Sequence, residues 1–165
     1  GTSSSWLGFE SDQELCRQIE KSTGALACTS VLALNEILRA TGAARFGLVT
    51  PYLDDVQQRI IANYARAGFT CVAERHLGLS DNFSFSEVPA AQLESMIREV
   101  AAARPQAIVV LCTNLRAAPL VPALEAELGI PIYDSVATVV WQALRLAGAD
   151  TRRIRSWGRL FTELA

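Results

Sequence analysis

The chain has 165 residues, of which 50% are hydrophobic, and a formal net charge of −2 at pH 7. This composition predicts a folded domain with a buried core and excludes a disordered chain. No apolar run reaches the roughly 18 residues that a membrane span needs, and the mildly acidic charge balance gives no sign of a nucleic-acid partner.

Helical and strand patterns alternate along most of the chain. The Gly/Thr/Ser cluster at its start has loop chemistry, and Ser11 opens a capping-box pattern for a helix that ends at Gly24. Further helices are predicted over residues 29–42, 54–68, 89–104, 120–129 and 135–148, and Ser135 is the predicted cap of the last one. Strands are predicted over residues 26–28, 46–49, 69–73, 107–111 and 130–133. Residues 76–88 are predicted to be irregular. This alternation predicts an α/β fold in which helices flank a parallel sheet.

The strand predicted from Ala107 organises the rest of the chain. Its apolar run, AIVVL, is typical of a strand that is buried on both faces. Cys112, Thr113 and Asn114 follow at its carboxyl end, where open α/β sheets bind their ligands. Backbone N–H groups at this position favour the thiolate form of a cysteine. The alternative is that Cys112 is a small apolar residue that caps the strand.

Several kinds of site have no support in the sequence. Lys21 is the only lysine and lies near the end of a predicted exposed helix, whereas a pyridoxal-phosphate enzyme needs a buried one. His76 is the only histidine, which excludes a site with several histidine ligands and leaves one partner for a Cys–His hydrolase. The four cysteines lack zinc-site spacing, so we expect reduced thiols in a cytoplasmic protein and no metal. Nucleotide-binding glycine loops are also lacking.

Four motifs resemble those of one family. They are GTSSSW at 1–6, VTPYLDD at 49–55, LCTNLR at 111–116 and GIPIYDSVATVVWQALRLAG at 129–148. In this order they are similar to the aspartate/glutamate racemase superfamily, most of all to the branch of maleate cis–trans isomerases and arylmalonate decarboxylases. The resemblance implies two α/β lobes with parallel sheets, an active site between the lobes, catalysis through cysteine and no cofactor.

The resemblance also implies a division of the chain. Residues 1–44 would be the remainder of an N-terminal lobe, residues 45–119 a second α/β lobe, and residues 120–165 a strand and helix that return toward the first lobe. We expect the N-terminal part of the first lobe to be missing here, including a loop rich in proline and asparagine that helps bind a carboxylate in family members.

The resemblance assigns roles to individual residues. Cys112 matches the acid/base thiol, and Gly1 stands where racemases and maleate isomerases have their first cysteine and where arylmalonate decarboxylases have glycine. The residues that match substrate-binding positions are Thr2, Ser3, Tyr52, Asn82, Thr113 and Asn114. Decarboxylases carry two glycines in place of Thr113 and Asn114, so the LCTNLR motif is closer to that of racemases and isomerases.

Alternatives remain for most of these positions. Tyr52 can simply pack a turn, Asn82 lies in a sequence with common turn chemistry, and Thr2 and Ser3 can be frayed terminal residues. Cys28 is the rival thiol, because it also ends a predicted strand. We interpret Cys28 as a core residue.

The chemistry that the resemblance implies starts from a small carboxylic or dicarboxylic acid. Removal of a proton or of CO2 beside a carboxylate leaves an enediolate, which fixed hydroxyl and N–H donors stabilise. One thiol then exchanges a proton with carbon on one face only, which favours a decarboxylase or an isomerase. The alternatives are an amino-acid or hydantoin-type racemase and a small-acid binding domain without activity. The sequence is compatible with a homo-oligomer, and we expect neither nucleic acid nor a membrane as a partner.

Overall fold

The computed structural model describes residues 1–164. Its centre is one parallel sheet of four strands in the order β2-β1-β3-β4. The strands are β1 (Arg45–Thr50), β2 (Thr70–His76), β3 (Ala107–Val110) and β4 (Ile132–Asp134). Every residue of β3 is buried, as its continuous apolar run predicts for a central parallel strand. The predicted α/β class is therefore confirmed.

Helices flank this sheet. In chain order they are α1 (Ser4–Leu7), α2 (Glu10–Thr23), α3 (Ser30–Ala40), α4 (Asp54–Arg66), α5 (Asn82–Ser86), α6 (Ala90–Ala101), α7 (Val121–Leu128), α8 (Ser135–Leu146) and α9 (Arg159–Glu163), with short 3-10 turns at Ala118–Leu120 and Thr151–Arg153. The helix α3 packs against α8, while α4 packs on β2 and α6 on β1 and β2. The division into lobes at 44/45 and 119/120 stays a prediction.

Close packing of α6 on the sheet depends on one glycine. A Cβ atom at Gly47 of β1 would lie 2.1 Å from Cγ1 of Val100 in α6. Helix and sheet therefore approach each other more closely than any other residue at this position would allow. No helix within residues 1–164 combines the length and the apolar character needed to cross a bilayer.

The carboxyl ends of all four strands form one edge of the sheet. In the register Thr50 lies opposite His76, Val49 opposite Val110, and Val110 opposite Asp134. The loops that follow the strands therefore start side by side. The loop after β3 carries Cys112 to this edge.

Three local predictions near the amino terminus are wrong. Residues 26–28 form no strand, because Leu26 is 64% exposed and the segment runs free of the sheet. The serines of the first motif start the short helix α1 instead of a loop. The helix α2 begins at Glu10, so Ser11 is not its cap, and the Ser11 hydroxyl donates to the carbonyl of Gly8 at 2.8 Å.

Two further boundaries differ from the prediction. Asp134 caps α8, because its carboxylate accepts the N–H groups of Val136 and Ala137, whereas Ser135 is already the first helical residue. The segment 76–88 is not wholly irregular, since Asp81 caps the short helix α5 within it. In both places an aspartate carboxylate accepts two N–H groups of the first helical turn, and its two oxygens offer more acceptor sites than the single hydroxyl oxygen of serine.

Candidate active site

Cys112 lies two residues beyond β3 at the carboxyl edge of the sheet. The residue is 3% exposed and packs with the hydrophobic core. Its Sγ accepts the backbone N–H of Asn114 at 3.4 Å. The thiol is therefore buried, as its interpretation as a small apolar residue requires, and its Sγ also accepts a backbone N–H from the loop that follows.

Tyr52 brings a hydroxyl to this thiol. It follows β1, and its phenol lies 2.6 Å from the hydroxyl of Thr2 and has the Cys112 side chain as a neighbour. Burial is the main cause that raises the pKa of the Tyr52 phenol above its ordinary value, and the neighbouring Cys112 adds to this rise. The phenol is thus held in its neutral form, which donates a hydrogen bond.

Aromatic contacts fix the ring of Tyr52. Trp6 of α1 meets it edge-on with ring centroids 5.1 Å apart, and Phe85 of α5 does the same at 5.6 Å. Such edge-to-face pairs orient both rings. Tyr52 therefore packs the turn after β1 and presents its hydroxyl at the same time.

The amino-terminal motif reaches the site through one side chain. Thr2 is 4% exposed, and its carbonyl accepts the hydroxyl of Ser5 at 2.6 Å, so it is not frayed. Ser3 is exposed, and its carbonyl accepts the N–H groups of Trp6 and Leu7 in α1. The structure joins Thr2 to Tyr52 and leaves the Ser3 side chain at the surface.

Three other predicted residues lie in the loop after Cys112 or contact that loop. Asn114 is exposed and donates its side-chain amide to the carbonyl of Asn82 at 3.2 Å, which ties the loop after β3 to α5. Asn82 takes part in this contact through its main-chain carbonyl, and the residue is exposed. Thr113 is half-buried between Cys112 and Asn114.

His76 does not pair with Cys112. It ends β2, and β1 lies between β2 and the strand that leads to the thiol. Two strand spacings separate the residues by about 10 Å. The His76 ring instead contacts Glu74 at 2.9 Å and faces Asp54 at 3.9 Å. A Cys–His hydrolase therefore has no support in the geometry.

The other three thiols lie in environments that disfavour their ionised forms. Burial raises the pKa of Cys28 and of Cys16, with Asp12 adding to the rise at Cys16. Burial also raises the pKa of Cys71 to about 11. Within residues 1–164 no group of three or more His, Cys, Asp or Glu side chains is arranged to hold a metal ion.

We expect Cys112 to react with iodoacetamide faster than Cys28 at pH 7, although Cys28 is the more exposed of the two. The N–H group of Asn114 contacts Sγ of Cys112 at the carboxyl edge of the sheet, whereas burial raises the pKa of Cys28. Mass spectrometry of the labelled peptides over time measures both rates in one sample. Faster labelling of Cys28 in the folded protein would contradict the assignment of Cys112.

Asp134 lies at the same edge of the sheet and was not among the residues predicted from the sequence. Asp134 is fully buried, and its Oδ2 has no hydrogen-bond partner within the described chain, while Oδ1 accepts two N–H groups of α8. Burial is the larger influence and raises the pKa of Asp134 to about 6. The signal in the sequence was an aspartate directly before a predicted helix, where we assigned the cap to the serine.

This burial predicts a pH dependence of stability. The folded state binds the Asp134 proton more tightly than the unfolded state, so its contribution to stability falls as pH rises from about 4 to about 7. The difference between the ordinary value of 3.8 and about 6 corresponds to about 3 kcal/mol. Asp134→Asn keeps a capping oxygen, and we expect its stability relative to the native chain to increase by that amount over this range. Urea unfolding at both pH values measures the change, and equal curves would contradict it.

Solved structures identify the class of protein to which this fold and site belong. The chain superposes with a TM-score of 0.89 on a double variant of arylmalonate decarboxylase in its liganded form, with 30% identity, covering 98% of this chain and 70% of that one. It superposes with a TM-score of 0.86 on a Nocardia farcinica maleate cis-trans isomerase variant that carries a covalently bound succinylcysteine intermediate, with 27% identity, covering 94% of this chain and 64% of that one. The class is that of α/β decarboxylases and isomerases.

Sequence comparison narrows this class to a family. The arylmalonate decarboxylase family model matches residues 1–161, and the chain belongs to this family. Arylmalonate decarboxylase of Bordetella bronchiseptica is 31% identical over 166 aligned positions, which cover 99% of this chain and 69% of that protein. Maleate isomerase of Nocardia farcinica is 33% identical over 122 positions, which cover 73% of this chain and 49% of that protein. The resemblance to this branch, and to a family of enzymes, is confirmed.

Proposed function

We propose that this chain is part of a cofactor-independent decarboxylase that acts on a small disubstituted malonate of the arylmalonate type. The observation that carries this proposal is the buried Thr2–Tyr52 hydroxyl pair beside the Cys112 thiol in a chain of the arylmalonate decarboxylase family. Cys112 is the proposed proton donor, and the hydroxyl and amide groups around it are the proposed substrate ligands.

The first step is loss of CO2. The C–C bond to one carboxylate breaks, and its electron pair remains on the substrate as an enediolate of the second carboxylate. The hydroxyls of Thr2 and Tyr52, which lie 2.6 Å apart, are suited to donate to the enediolate oxygens. Ser3, Thr113, Asn114 and Asn82 line the proposed opening, where they would contact the substrate's remaining polar groups.

The second step is protonation of carbon. The S–H bond of Cys112 breaks, its proton forms the new C–H bond, and the enediolate electron pair is consumed. The resulting thiolate is stabilised by the N–H of Asn114 and recovers a proton from water. With glycine at position 1, a single thiol serves one face of the planar intermediate, so the product is a single enantiomer.

The test is turnover in heavy water. The purified chain is incubated with 2-methyl-2-phenylmalonate in D2O, and we expect CO2 release and a monocarboxylic acid with one deuterium at one face, read by chiral chromatography and mass spectrometry. The same chain is incubated with maleate as the competing substrate. If maleate is converted to fumarate and no CO2 is released from the malonate, the chain is an isomerase and the proposed decarboxylase activity is wrong.

Two other functions have distinct signatures. Protection of Cys112 from alkylation by the malonate, without any turnover, would indicate a small-acid binding domain. Loss of optical activity from a single enantiomer of an α-substituted acid would indicate a racemase. We also propose a reducing, cytoplasmic location, since all four cysteines are free thiols.

Tyr52→Phe separates the packing role of this residue from its hydroxyl. The ring keeps its contacts with Trp6 and Phe85, whereas one donor to the enediolate is lost. We expect kcat to fall by about 10- to 1000-fold, the range for loss of one oxyanion donor. Circular dichroism and the melting temperature should barely change. Full turnover by this variant would leave Tyr52 with a packing role alone.

A further inference from the structure

A chain of buried hydrogen bonds runs from the edge strand β2 to the backbone of Tyr52. Gln57 of α4 and Thr50 at the end of β1 are both fully buried polar residues. The Thr50 hydroxyl donates to Oε1 of Gln57 at 2.7 Å, and Nε2 of Gln57 donates to Oε2 of Glu74 at 2.7 Å. His76 contacts the same oxygen of Glu74 at 2.9 Å.

The direction of this chain is fixed by its end at Glu74. A carboxylate only accepts, so Gln57 must turn its NH2 group toward Glu74 and its carbonyl toward Thr50. The Thr50 hydroxyl must then donate to Gln57, which leaves its lone pairs for the backbone N–H of Tyr52, 3.4 Å away. Each member thus has one possible role.

A second route from the same strand holds the other side of Tyr52. In the segment that follows His76, the N–H of Gly78 donates to the carbonyl of Tyr52 at 3.1 Å, and the N–H of Leu79 donates to the carbonyl of Pro51 at 2.8 Å. The main chain of Tyr52 is therefore fixed at both its N–H and its carbonyl. Displacement of either group would move the phenol relative to Cys112 and Thr2.

We propose that Gln57 and Glu74 are positioning residues, which act through Thr50 to hold the Tyr52 phenol between Thr2 and Cys112. Neither residue reaches the thiol or the proposed substrate ligands. The expected effect on kcat rests on the proposed function. The expected effect on the exposure of Cys112 does not, and it is measurable without any substrate. A buried glutamine with a packing role alone would have no directional requirement.

The experiment compares Gln57→Leu with Gln58→Leu. Gln58 is the matched control, since it is the same residue type in the same helix but is exposed, and its side chain donates to Asp54 on the helix surface. In the kinetic readout we expect Gln57→Leu to lower kcat within the about 10- to 1000-fold range of Tyr52→Phe, with Gln58→Leu unchanged. In the Tyr52→Phe background, Gln57→Leu should change kcat by no more than about twofold. If the loss of kcat in the double variant equals the product of the losses in Tyr52→Phe and Gln57→Leu, Gln57 acts independently of the Tyr52 hydroxyl, and the proposal is overturned.

The substrate-free readout is alkylation of Cys112. Displacement of Tyr52 uncovers the thiol, so Gln57→Leu should raise the rate of iodoacetamide labelling of Cys112 relative to Cys16 in the same molecule, and Gln58→Leu should not. An unchanged rate in Gln57→Leu overturns the proposal whether or not the chain turns over a malonate. Absence of turnover with a raised labelling rate contradicts the proposed function and supports the positioning role.

Substitutions of Glu74 keep the proposal testable if Gln57→Leu fails to fold. Glu74 lies on the edge strand and its side chain is 32% exposed, so its replacement disturbs the core less. Glu74→Gln retains an oxygen that accepts from Gln57 and should preserve both readouts. Glu74→Leu removes the acceptor and should reproduce Gln57→Leu. Equal behaviour of these two variants would overturn the proposal.

Discussion

Cys112→Ser is expected to lower the rate of decarboxylation by about 100- to 10,000-fold, the contribution of a positioned acid/base group. Serine fills the same buried position at the end of β3, but its hydroxyl is a much weaker acid than a thiol. Protonation of the enediolate would then depend on water. The loss should appear in kcat, since the proposed oxygen ligands, Thr2 and Tyr52, remain in place. Release of CO2 from 2-methyl-2-phenylmalonate measures it.

Cys28→Ser is the matched control for this prediction. It makes the same change at the rival thiol, whose pKa is raised by burial, and we expect native turnover. Melting curves of both variants show whether the fold is kept. Native activity in Cys112→Ser, or loss of activity in Cys28→Ser alone, would contradict the assignment of the proton donor.

The strands of the central sheet were predictable because their signal is local. The runs at 108–111 and 46–49 are long enough to identify buried strands, and the two strands pair in parallel. The segment 26–28 has a similar strand-like sequence but does not join the sheet. Whether a segment joins the sheet depends on the rest of the fold and cannot be predicted from the segment alone. Ser11 shows the same limit for a helix cap, because an upstream turn at Gly8 takes its hydroxyl.

The site was predictable only in part for a related reason. The position of Cys112 after a buried strand follows from the sequence, whereas its contact with Tyr52 joins residues of two different strand ends. The buried chain through Gln57 is less visible still. A glutamine on the apolar face of a helix, in line with Ile60 and Tyr64, was the available signal, but its partner Glu74 lies on another element.

Gly1→Cys is expected to change the stereochemical course of the reaction. The family resemblance puts this glycine where two-cysteine relatives carry their first cysteine. It adjoins Thr2, whose hydroxyl contacts Tyr52, and a Cβ atom at Gly1 would meet no atom within 4 Å. The described residues therefore leave room for a side chain, and the resemblance implies that the new thiol would face the intermediate from the side opposite Cys112. Protons would then exchange at both faces of the planar enediolate.

We expect Gly1→Cys to gain racemase activity on an α-substituted carboxylic acid that the native protein leaves optically pure. Some decarboxylation rate should be lost, because the larger side chain crowds the substrate. Deuterium exchange in D2O followed by chiral chromatography measures both effects, and Gly1→Ser is the control that adds similar bulk without a thiol. Racemisation by the native protein at a comparable rate would contradict the one-thiol mechanism, since it requires a second base on the other face.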